Sequence, residues 1–273
     1  MAALPPLLAT LDGYAVEGGF DVPGGIATCY SPAIGLWRLA GPGEAANLWR
    51  DYELAIAQVP ALGLDGIRLT VEWTRVEPRA DVVDVSAWER YRDVIRFAKS
   101  LDLYVSVAVV DSVWPAWLGA EAWLMPWVRT AFSQHLDNFA NALGSEVDSV
   151  VPFTHGPNLV ESGFLRGTIP PWRKRERADA ADARLSVASM IESVSSHGVL
   201  GPLVCIGGRE IPAQLPESAW PVVVSEAQRA SEVYVKSLVR GMGPTSSTSG
   251  LVTISDGVAT IEVPQQLLEI WRS

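Results

Sequence analysis

Two ionisable side chains lie at the ends of apolar segments that have the composition of buried strands. Asp111 follows Tyr104–Val110, and His155 ends the segment 149–155. If the two segments are neighbouring strands, about 4.8 Å apart, these side chains lie within hydrogen-bonding reach. An aspartate that holds a histidine fixes the imidazole tautomer and raises its basicity. The pair therefore predicts a general acid/base that works near neutral pH.

Other polar and aromatic side chains lie at or just after predicted strand ends, where α/β barrels place their catalytic groups. We predict that Asp111, His155 and Arg68 are catalytic. Trp123 and Trp127 are further pocket candidates, because indole faces bind apolar rings. The residues that we predict to bind substrate are Ser31, Glu72, Arg75, Ser112, Trp114, Asn158, Trp172 and Glu210.

Each catalytic candidate also has a structural alternative. His155 could be a histidine whose hydrogen bonds are satisfied at the strand end, and Asp111 could cap the turn that follows it. Arg68 could serve as the structural partner of an acidic residue, for which Glu72 is the obvious candidate.

Length and composition indicate one folded domain, and the net charge argues against nucleic-acid and membrane partners. The chain has 273 residues, of which 48% are hydrophobic and only 19% charged, whereas disordered chains show the opposite balance. Its formal net charge of -10 opposes binding to phosphate backbones and anionic lipid. We therefore expect no nucleic-acid partner and no membrane partner.

The cysteines and histidines argue against a disulfide framework and against a metal site. Cys29 and Cys205 are too few for a disulfide scaffold, and the histidines, His135, His155 and His197, are scattered. We expect no metal and no other cofactor. The first residues lack the basic start of a secretory signal, and no apolar stretch approaches the roughly 20 residues of a membrane span. We expect a cytoplasmic protein.

Strand-like and helical segments alternate along the chain, as is typical of a parallel sheet in a barrel or a doubly wound fold. One helix, 47–62, would place Leu48, Tyr52, Ile56 and Val59 on one face, and another would begin at a Ser86 cap. No Gly-x-Gly-x-x-Gly follows a strand, so a dinucleotide site lacks its phosphate cradle. The segments are strands at 22–28, 66–73, 104–110, 149–155 and 202–207, and helices at 47–62, 86–100, 126–143 and 178–196.

The last part of the chain predicts a connector and a hairpin. The segment 241–250 is rich in glycine, serine and threonine, which favours a flexible link. Beyond it, Asp256 and Gly257 predict a turn between strands at 251–255 and 258–263.

Four blocks over about residues 20–240 resemble family 1 glycoside hydrolases, the β-glucosidase family, whose fold is a (β/α)8 barrel. The block 62–78, with its Gly-Leu, Arg68, Trp73, Arg75 and Glu-Pro, is the most specific. The resemblance implies a pocket floor at Arg68 and core positions for the indoles of Trp49, Trp73 and Trp117. The other blocks are 25–30 at the expected first strand, 114–118, and 154–171.

The chain differs from that family at its sugar-facing positions. Ser31 stands in place of a Gln, Asp111-Ser112 in place of His-Trp, and His155-Gly156 in place of the Asn-Glu that carries the acid/base carboxyl. The nucleophile segment is also missing, although Glu262 on a late strand could substitute for it. About 60 residues follow the fifth predicted strand, whereas three further βα units need roughly ninety. We expect an α/β fold, a reduced (β/α)8 barrel with a C-terminal β-hairpin, as a single domain over 1–273.

For function we expect a small-molecule enzyme of specialised metabolism that uses acid/base chemistry, such as hydrolysis, dehydration or cyclisation. It would not use the two-glutamate retaining mechanism. One alternative is a non-catalytic pseudo-glycosidase that binds a sugar or a protein partner, and another is a glycosidase with a substitute acid. Because an incomplete strand ring leaves an open edge, we also expect a homodimer.

Overall fold

A computed structural model describes the chain at residues 8–36, 39–62, 64–154 and 159–194, together with the backbone of five later strands. These strands are at 204–205, 222–223, 243–248, 251–255 and 260–264. All structural statements below concern these residues.

Four parallel strands form the central sheet: β1 Leu8–Leu11, β2 Gly66–Thr70, β3 Tyr104–Val110 and β4 Ser149–Phe153, in the order β1-β2-β3-β4. In register, Thr10 lies opposite Arg68, Arg68 opposite Ser106, and Ser106 opposite Ser149. Because all four strands run in one direction, their carboxyl ends meet at one edge of the sheet. The α/β fold is confirmed, as are the strands predicted near 66, 104 and 149.

Seven α-helices and several short helical turns connect and cover the described strands. The short turns are Pro60–Leu62, Ala116–Leu118, Ala122–Leu124 and a π-helical turn at Glu161–Arg166. The α-helices are α1 Gly13–Val16, α2 Ser31–Gly35, α3 Leu48–Ile56, α4 Trp73–Val76, α5 Val85–Ser100, α6 Val128–Leu143 and α7 Arg177–Val194.

The four long helices confirm the predicted ones, with changes at their ends. Leu48, Tyr52, Ile56 and Val59 are all buried, although α3 ends at Ile56. Helix α5 begins one residue early, because the Asp84 carboxylate accepts the Ala87 backbone N–H over 3.0 Å. The predicted Ser86 cap is therefore wrong, since an aspartate two residues earlier provides the acceptor.

The predicted first strand at 22–28 is wrong, because β1 is Leu8–Leu11. Residues 22–28 form a loop with isolated bridges from Phe20 to Ile26 and from Thr28 to Pro115. The loop turns back at Gly24, which has a φ of +75°, and the Asp21 carboxylate accepts the Thr28 backbone N–H. Block 25–30 therefore does not lie on a strand of the sheet, and Ser31 begins a helix rather than following β1.

The two faces of the sheet have different side chains. One face carries a buried polar row of Thr10, Arg68, Ser106 and Ser149, the four residues that lie opposite one another in register. The other face is apolar, with rows such as Ala9, Ile67 and Val105, and belongs to the hydrophobic core that the long helices share. This division, with a polar interior row and an outer layer of helices, is the pattern of a barrel wall.

The later strands form two further groups. β5 Val204–Cys205 packs beside β4 and pairs in parallel with β6 Val222–Val223. β8 Leu251–Ser255 and β9 Thr260–Pro264 form the predicted antiparallel hairpin, and β7 Gly243–Thr248 pairs with β8.

The predicted flexible connector at 241–250 is wrong, since most of it is β7. Pro244 cannot donate to a ladder, but β7 is at the edge of this sheet and has a register shift next to Pro244. Glu262 lies on β9, opposite Thr253, in the antiparallel sheet. No described helix is long and apolar enough to cross a membrane.

Candidate functional site

Three acidic residues lie at the carboxyl edge of the parallel sheet. Asp12 directly follows β1, Glu72 lies two residues after β2, and Asp111 directly follows β3. Glu72 and Asp111 are 2% and 5% exposed, so their charges have little access to water. This edge is the part of the fold at which barrel enzymes carry out chemistry.

Glu17, beyond the end of α1, is held by two strong partners. Arg75 Nε donates to Glu17 Oε2 over 2.7 Å, and the Tyr91 hydroxyl donates to Glu17 Oε1 over 2.7 Å. Burial raises the pKa of Glu17, and the Arg75 charge and the Tyr91 hydrogen bond offset this shift only in part. The cation and the hydroxyl on its two oxygens stabilise the ionised form of Glu17 relative to a carboxyl group that has no such partners.

Arg75 is a framework residue rather than a free pocket cation. Besides Glu17, its Nη2 donates to the Gly18 carbonyl oxygen over 2.7 Å. Its guanidinium carbon lies 4.3 Å from the centre of the Phe20 ring and 3.9 Å from that of the Trp49 ring. A guanidinium that is paired, hydrogen-bonded and stacked between two rings stays where it is. The predicted substrate-binding role of Arg75 is not supported by this position.

Glu72 has much less compensation for a negative charge. Its Oε1 accepts the Tyr14 backbone N–H over 2.8 Å, and its own backbone N–H donates to the Tyr91 hydroxyl over 3.1 Å. Burial raises the pKa of Glu72 well above its usual range, and the negative charges of Glu17 and Asp111 raise it further. The Tyr14 N–H and the Arg75 charge lower the pKa only in part. Burial and its neighbours therefore favour the protonated form of Glu72.

Gly13 allows Glu72 and Glu17 to approach each other. A methyl group on Gly13 would lie 2.3 Å from Glu72 Cγ, 2.8 Å from Glu72 Oε1 and 3.0 Å from Glu17 Oε1. Real side chains do not tolerate contacts of this length, so only a glycine fits at this first position of α1, beside the two carboxyl groups.

Asp21 holds the loop that replaces the predicted first strand. Its carboxylate accepts the Tyr14 hydroxyl over 2.9 Å, the Thr28 hydroxyl over 2.7 Å, and the Ser31 hydroxyl. Burial, followed by the hydrogen bond to Asp21 and its charge, raises the pKa of Tyr14. Ser31, which we predicted to bind substrate, makes its hydrogen bonds inside this loop, with Asp21 and the Thr28 backbone N–H.

A row of aromatic rings leads away from the acidic edge. Tyr14 lies 5.5 Å from Phe20 and is stacked on Tyr30 at 5.6 Å, and Tyr30 meets Trp172 edge-on at 6.3 Å between ring centres. Burial raises the pKa of Tyr30, and the charges of Cys29 and Asp111 raise it further. The half-buried Trp172 thus lies at the end of this aromatic row, in contact with Tyr30.

The other predicted residues differ in their burial and in the contacts that they make. Arg68, inside the sheet, donates to the Thr10 hydroxyl over 3.1 Å. Ser112 is half-buried directly after Asp111. Trp114 is fully buried, donates its indole N–H to the Gly119 carbonyl oxygen over 2.8 Å, and packs against Trp123 at 5.1 Å. Trp114 and Trp123 thus belong to the core, because their rings fill the space behind β3 and β4.

Three predicted site residues, His155, Asn158 and Glu210, lie outside the described residues. The proposed hydrogen bond between Asp111 and His155 thus stays a prediction. Among the described residues, no group of His, Cys, Asp and Glu side chains is arranged to hold a metal ion.

A buried acid–histidine pair, Glu77 and His135, lies away from the strand ends. The Glu77 carboxylate contacts His135 Nδ1 at 2.9 Å and accepts the Asn138 amide over 2.9 Å and the Trp73 indole N–H over 2.7 Å. Burial raises the pKa of Glu77, but these hydrogen bonds and the His135 charge lower it more, so the net direction is downward. This cluster joins α4 to α6 and has a structural role.

Sequence reasoning missed Glu17, Tyr14, Asp21 and Tyr91. A signal for Glu17 exists in the apolar run 7–11 followed by Asp12 and Gly13, which is the pattern of a strand that ends in a turn. Tyr91 on α5 carries no local signal, because its hydroxyl meets Glu17 only after the helix packs on the sheet.

No protein-family model matches the chain, and no curated protein matches it by sequence. Solved structures do match. The chain has a β-glucosidase-like fold. A β-glucosidase from Exiguobacterium marinum superposes with a TM-score of 0.66 at 16% identity, over 73% of this chain and 47% of that one.

Two further neighbours support the same fold. The β-glycosidase from Pyrococcus horikoshii gives a TM-score of 0.64 at 17% identity, over 95% of this chain and 58% of that one. An aphid myrosinase gives 0.64 at 13% identity, over 76% and 49%. The chain thus spans about half the length of these structures. At these identities the likeness shows the glycosidase-like barrel fold alone.

Proposed function

We propose that the protein is a small-molecule enzyme of specialised metabolism that carries out acid/base chemistry, such as hydrolysis, dehydration or cyclisation, at the carboxyl edge of its sheet. Asp111, His155 and Arg68 are the proposed catalytic residues. The observation that carries this proposal is the buried position of Asp111 directly after β3, where its charge raises the pKa of both Glu72 and Tyr30. Titratable groups that perturb one another in this way cluster at functional sites.

The proposed roles follow from chemistry and position. Asp111 orients the imidazole of His155, which moves a proton, while Arg68 in the polar row polarises a ligand oxygen. Ser112, Asn158, Trp172 and Glu210 are the proposed ligand contacts, and the row of Tyr30 and Trp172 suits an apolar ring surface. The two-glutamate route is not proposed, because Gly156 stands where the resemblance expects the acid/base glutamate.

The test is a search for turnover with matched variants. The wild type is incubated with a metabolite extract, and consumed compounds are identified by mass spectrometry. Asp111→Asn and His155→Ala should each lower kcat about 10²- to 10⁴-fold while ligand binding persists. Asp102→Asn is the control, since Asp102 is exposed in a turn with φ of +59°, a conformation that asparagine also accepts. Unchanged turnover in Asp111→Asn would refute the proposed roles.

A glycosidase with a substitute acid is the second candidate. The observation in its favour is that carboxyl groups, Glu72 and Asp111, occupy adjacent strand ends within a glycosidase-like fold. Hydrolysis of 4-nitrophenyl β-D-glucoside, whose leaving group needs little protonation, would support it. A non-catalytic pseudo-glycosidase would instead bind a ligand, turn over no compound and keep its affinity in Asp111→Asn.

We also propose a homodimer and a cytoplasmic location. β1 has a neighbour on only one side among the described strands, and an open strand edge is commonly covered by a partner. Light scattering should then give twice the 29.4 kDa monomer mass, and a clean monomer would contradict it. Cys29 is a buried free thiol, which suits a reducing compartment, and cell fractionation tests this location.

A further inference from the structure

Glu72 differs from Glu17, the neighbouring buried carboxyl group, in its hydrogen-bond partners, and this difference indicates a separate role for Glu72. We infer that Glu72 is the proton donor of this pocket, holding an acidic proton on Oε2 and delivering it to the leaving atom of a bound ligand. The inference rests on the proposed function, because a donor needs a ligand that reacts. It adds a catalytic acid to Asp111, His155 and Arg68, and gives Glu72 a role beyond binding.

The contrast with Glu17 carries the argument. Both carboxyl groups are buried, are 2% exposed, and meet at Gly13. Glu17 has the Arg75 guanidinium on one oxygen and the Tyr91 hydroxyl on the other. Among the described residues, the Glu72 side chain has one hydrogen-bond partner, the neutral Tyr14 backbone N–H. When two neighbouring carboxyl groups share one cation, the group that holds the cation ionises and the other keeps its proton.

The remaining charged and titratable neighbours favour the same assignment. Asp111 adds a negative charge from the end of β3, and Arg75 is a cation already paired with Glu17. Burial raises the pKa of the Cys29 thiol and of the Tyr91 phenol well above their usual ranges, so both are neutral. Among the described groups that shift its pKa, ionised Glu72 would face the negative charges of Glu17 and Asp111, and the cation among them, Arg75, is already paired with Glu17.

The geometry also selects the oxygen that carries the proton. Glu72 Oε1 is engaged as an acceptor by Tyr14. Within the part of the chain that the structure describes, Oε2 makes no hydrogen bond, so the proton on Oε2 can point to a ligand. Its position after β2 puts it beside Asp111 at the edge where ligands of barrel enzymes bind.

The proposed step balances as a simple proton transfer. The proton moves from Glu72 Oε2 to an oxygen or nitrogen of the ligand while the bond from carbon to that atom breaks, and the bond's electrons stay with the departing atom. The Glu72 carboxylate that forms is stabilised by the Tyr14 N–H. Water then attacks the electron-deficient carbon, and the proton that this water releases returns to the Glu72 carboxylate.

The first measurement is the titration of Glu72 itself. Carbon-13 NMR of glutamate carboxyl carbons follows each group, and the signal missing from Glu72→Gln identifies Glu72. We expect that signal to titrate well above the usual range of a glutamate carboxyl group. Glu77, assigned in the same way, is the internal control and should titrate below the usual range of about 4.3. A Glu72 signal that titrates near 4.3 would overturn the inference.

The second measurement is kinetic and separates the donor role from the proposed function. The substrates are the compound consumed from the extract and, where hydrolysed, phenyl and 4-nitrophenyl β-D-glucoside. Glu72→Gln should lower kcat about 10²- to 10⁴-fold on phenyl glucoside or the natural compound, and far less on nitrophenyl glucoside. It should also abolish the loss of activity at high pH. Glu72→Asp, a shorter acid, should recover part of the rate.

The outcomes are distinct. If Glu72→Gln turns over the compound as fast as the wild type does, only the donor role is refuted, because the reaction then proceeds without Glu72. A wild type that turns over no compound refutes the proposed function and the donor role together, and a high titration of Glu72 would then belong to a structural carboxylic acid. Near-ultraviolet circular dichroism of each variant checks that the core is intact.

Discussion

Arg75 and Glu17 form a buried ion pair, with Arg75 Nε 2.7 Å from Glu17 Oε2 and side chains that are 7% and 2% exposed. The two residues are 58 positions apart. Their contact ties the segment after β1 to α4, and thereby fixes the position of Glu72, which directly precedes α4. The ion pair is thus a positioning element for the acidic edge.

Removing one partner of this pair should be costly. We expect Arg75→Met to lower the free energy of unfolding by about 3–5 kcal/mol, because Glu17 stays buried without its cation. The double variant Glu17→Gln/Arg75→Met should recover part of the loss. Urea unfolding measures the free energy of unfolding of the single and the double variant. Arg166→Met, which breaks an ion pair whose side chains are 65% and 36% exposed, is the control and should cost less than about 1 kcal/mol. Equal losses in the two single variants would contradict the prediction.

Gly13 should tolerate no side chain while Glu72 is present. Gly13→Ala places a methyl group 2.3 Å from Glu72 Cγ, so we expect a loss of about 1–3 kcal/mol in unfolding free energy. The loss should be smaller when Glu72 is also changed to Ala, since the methyl then has space. Gly35→Ala is the matched control, because no atom lies within 4 Å of its added methyl. If Gly13→Ala loses no more unfolding free energy than Gly35→Ala, the close approach of Glu72 to Gly13 is wrong.

Glu72 should make stability depend on pH in a defined direction. Its pKa is raised in the folded state, so the folded protein binds a proton that the unfolded chain has released above about pH 4.3. Stability therefore falls as pH rises through the folded pKa. Glu72→Gln should match the wild type near pH 4 and become progressively more stable than the wild type as the pH rises above the unfolded pKa of about 4.3. Glu89→Gln on the exposed face of α5 should show no such divergence.

Glu77 should have the opposite dependence, because its pKa is lowered in the folded state. The stability that it contributes is present above the unfolded pKa of about 4.3 and is lost as pH falls through the folded value. Glu77→Gln should cost about 1–3 kcal/mol at pH 7, since His135 loses its charged partner. Thermal melts between pH 7 and pH 3 should show this gap narrowing, and a constant gap would argue against an ionised Glu77.

The sequence predicted those parts of the fold whose signal is local and periodic. Tyr104–Val110 is apolar at nearly every position, and it forms a strand buried by neighbours on both faces. The face of Leu48, Tyr52 and Ile56 follows from helical spacing, and all three side chains are buried. A periodic signal of this kind needs no knowledge of distant residues.

The errors arose where distant residues decide the structure. β1 has only four residues, and it forms because Leu8–Leu11 pairs with β2 far along the chain, while the more strand-like 22–28 is turned into a loop by Asp21. The acidic edge was predicted in part, through Asp111 and Glu72. Glu17 and Tyr91 were missed because neither belongs to a local motif and their contact spans 74 positions.

The pairing of β1 with β2 has a consequence for how the protein folds. Leu8 meets Gly66 and Leu11 meets Leu69, so the intervening chain must close a long loop before β1 gains any hydrogen bonds from the sheet. Docking of β1 is thus expected late, after the more local contacts of β2, β3 and β4 have formed. The same docking brings Glu17 and Gly13 to Glu72. The acidic edge and the first strand of the sheet therefore form in one cooperative step, and within the sheet the backbone amides of β1 should exchange fastest with solvent.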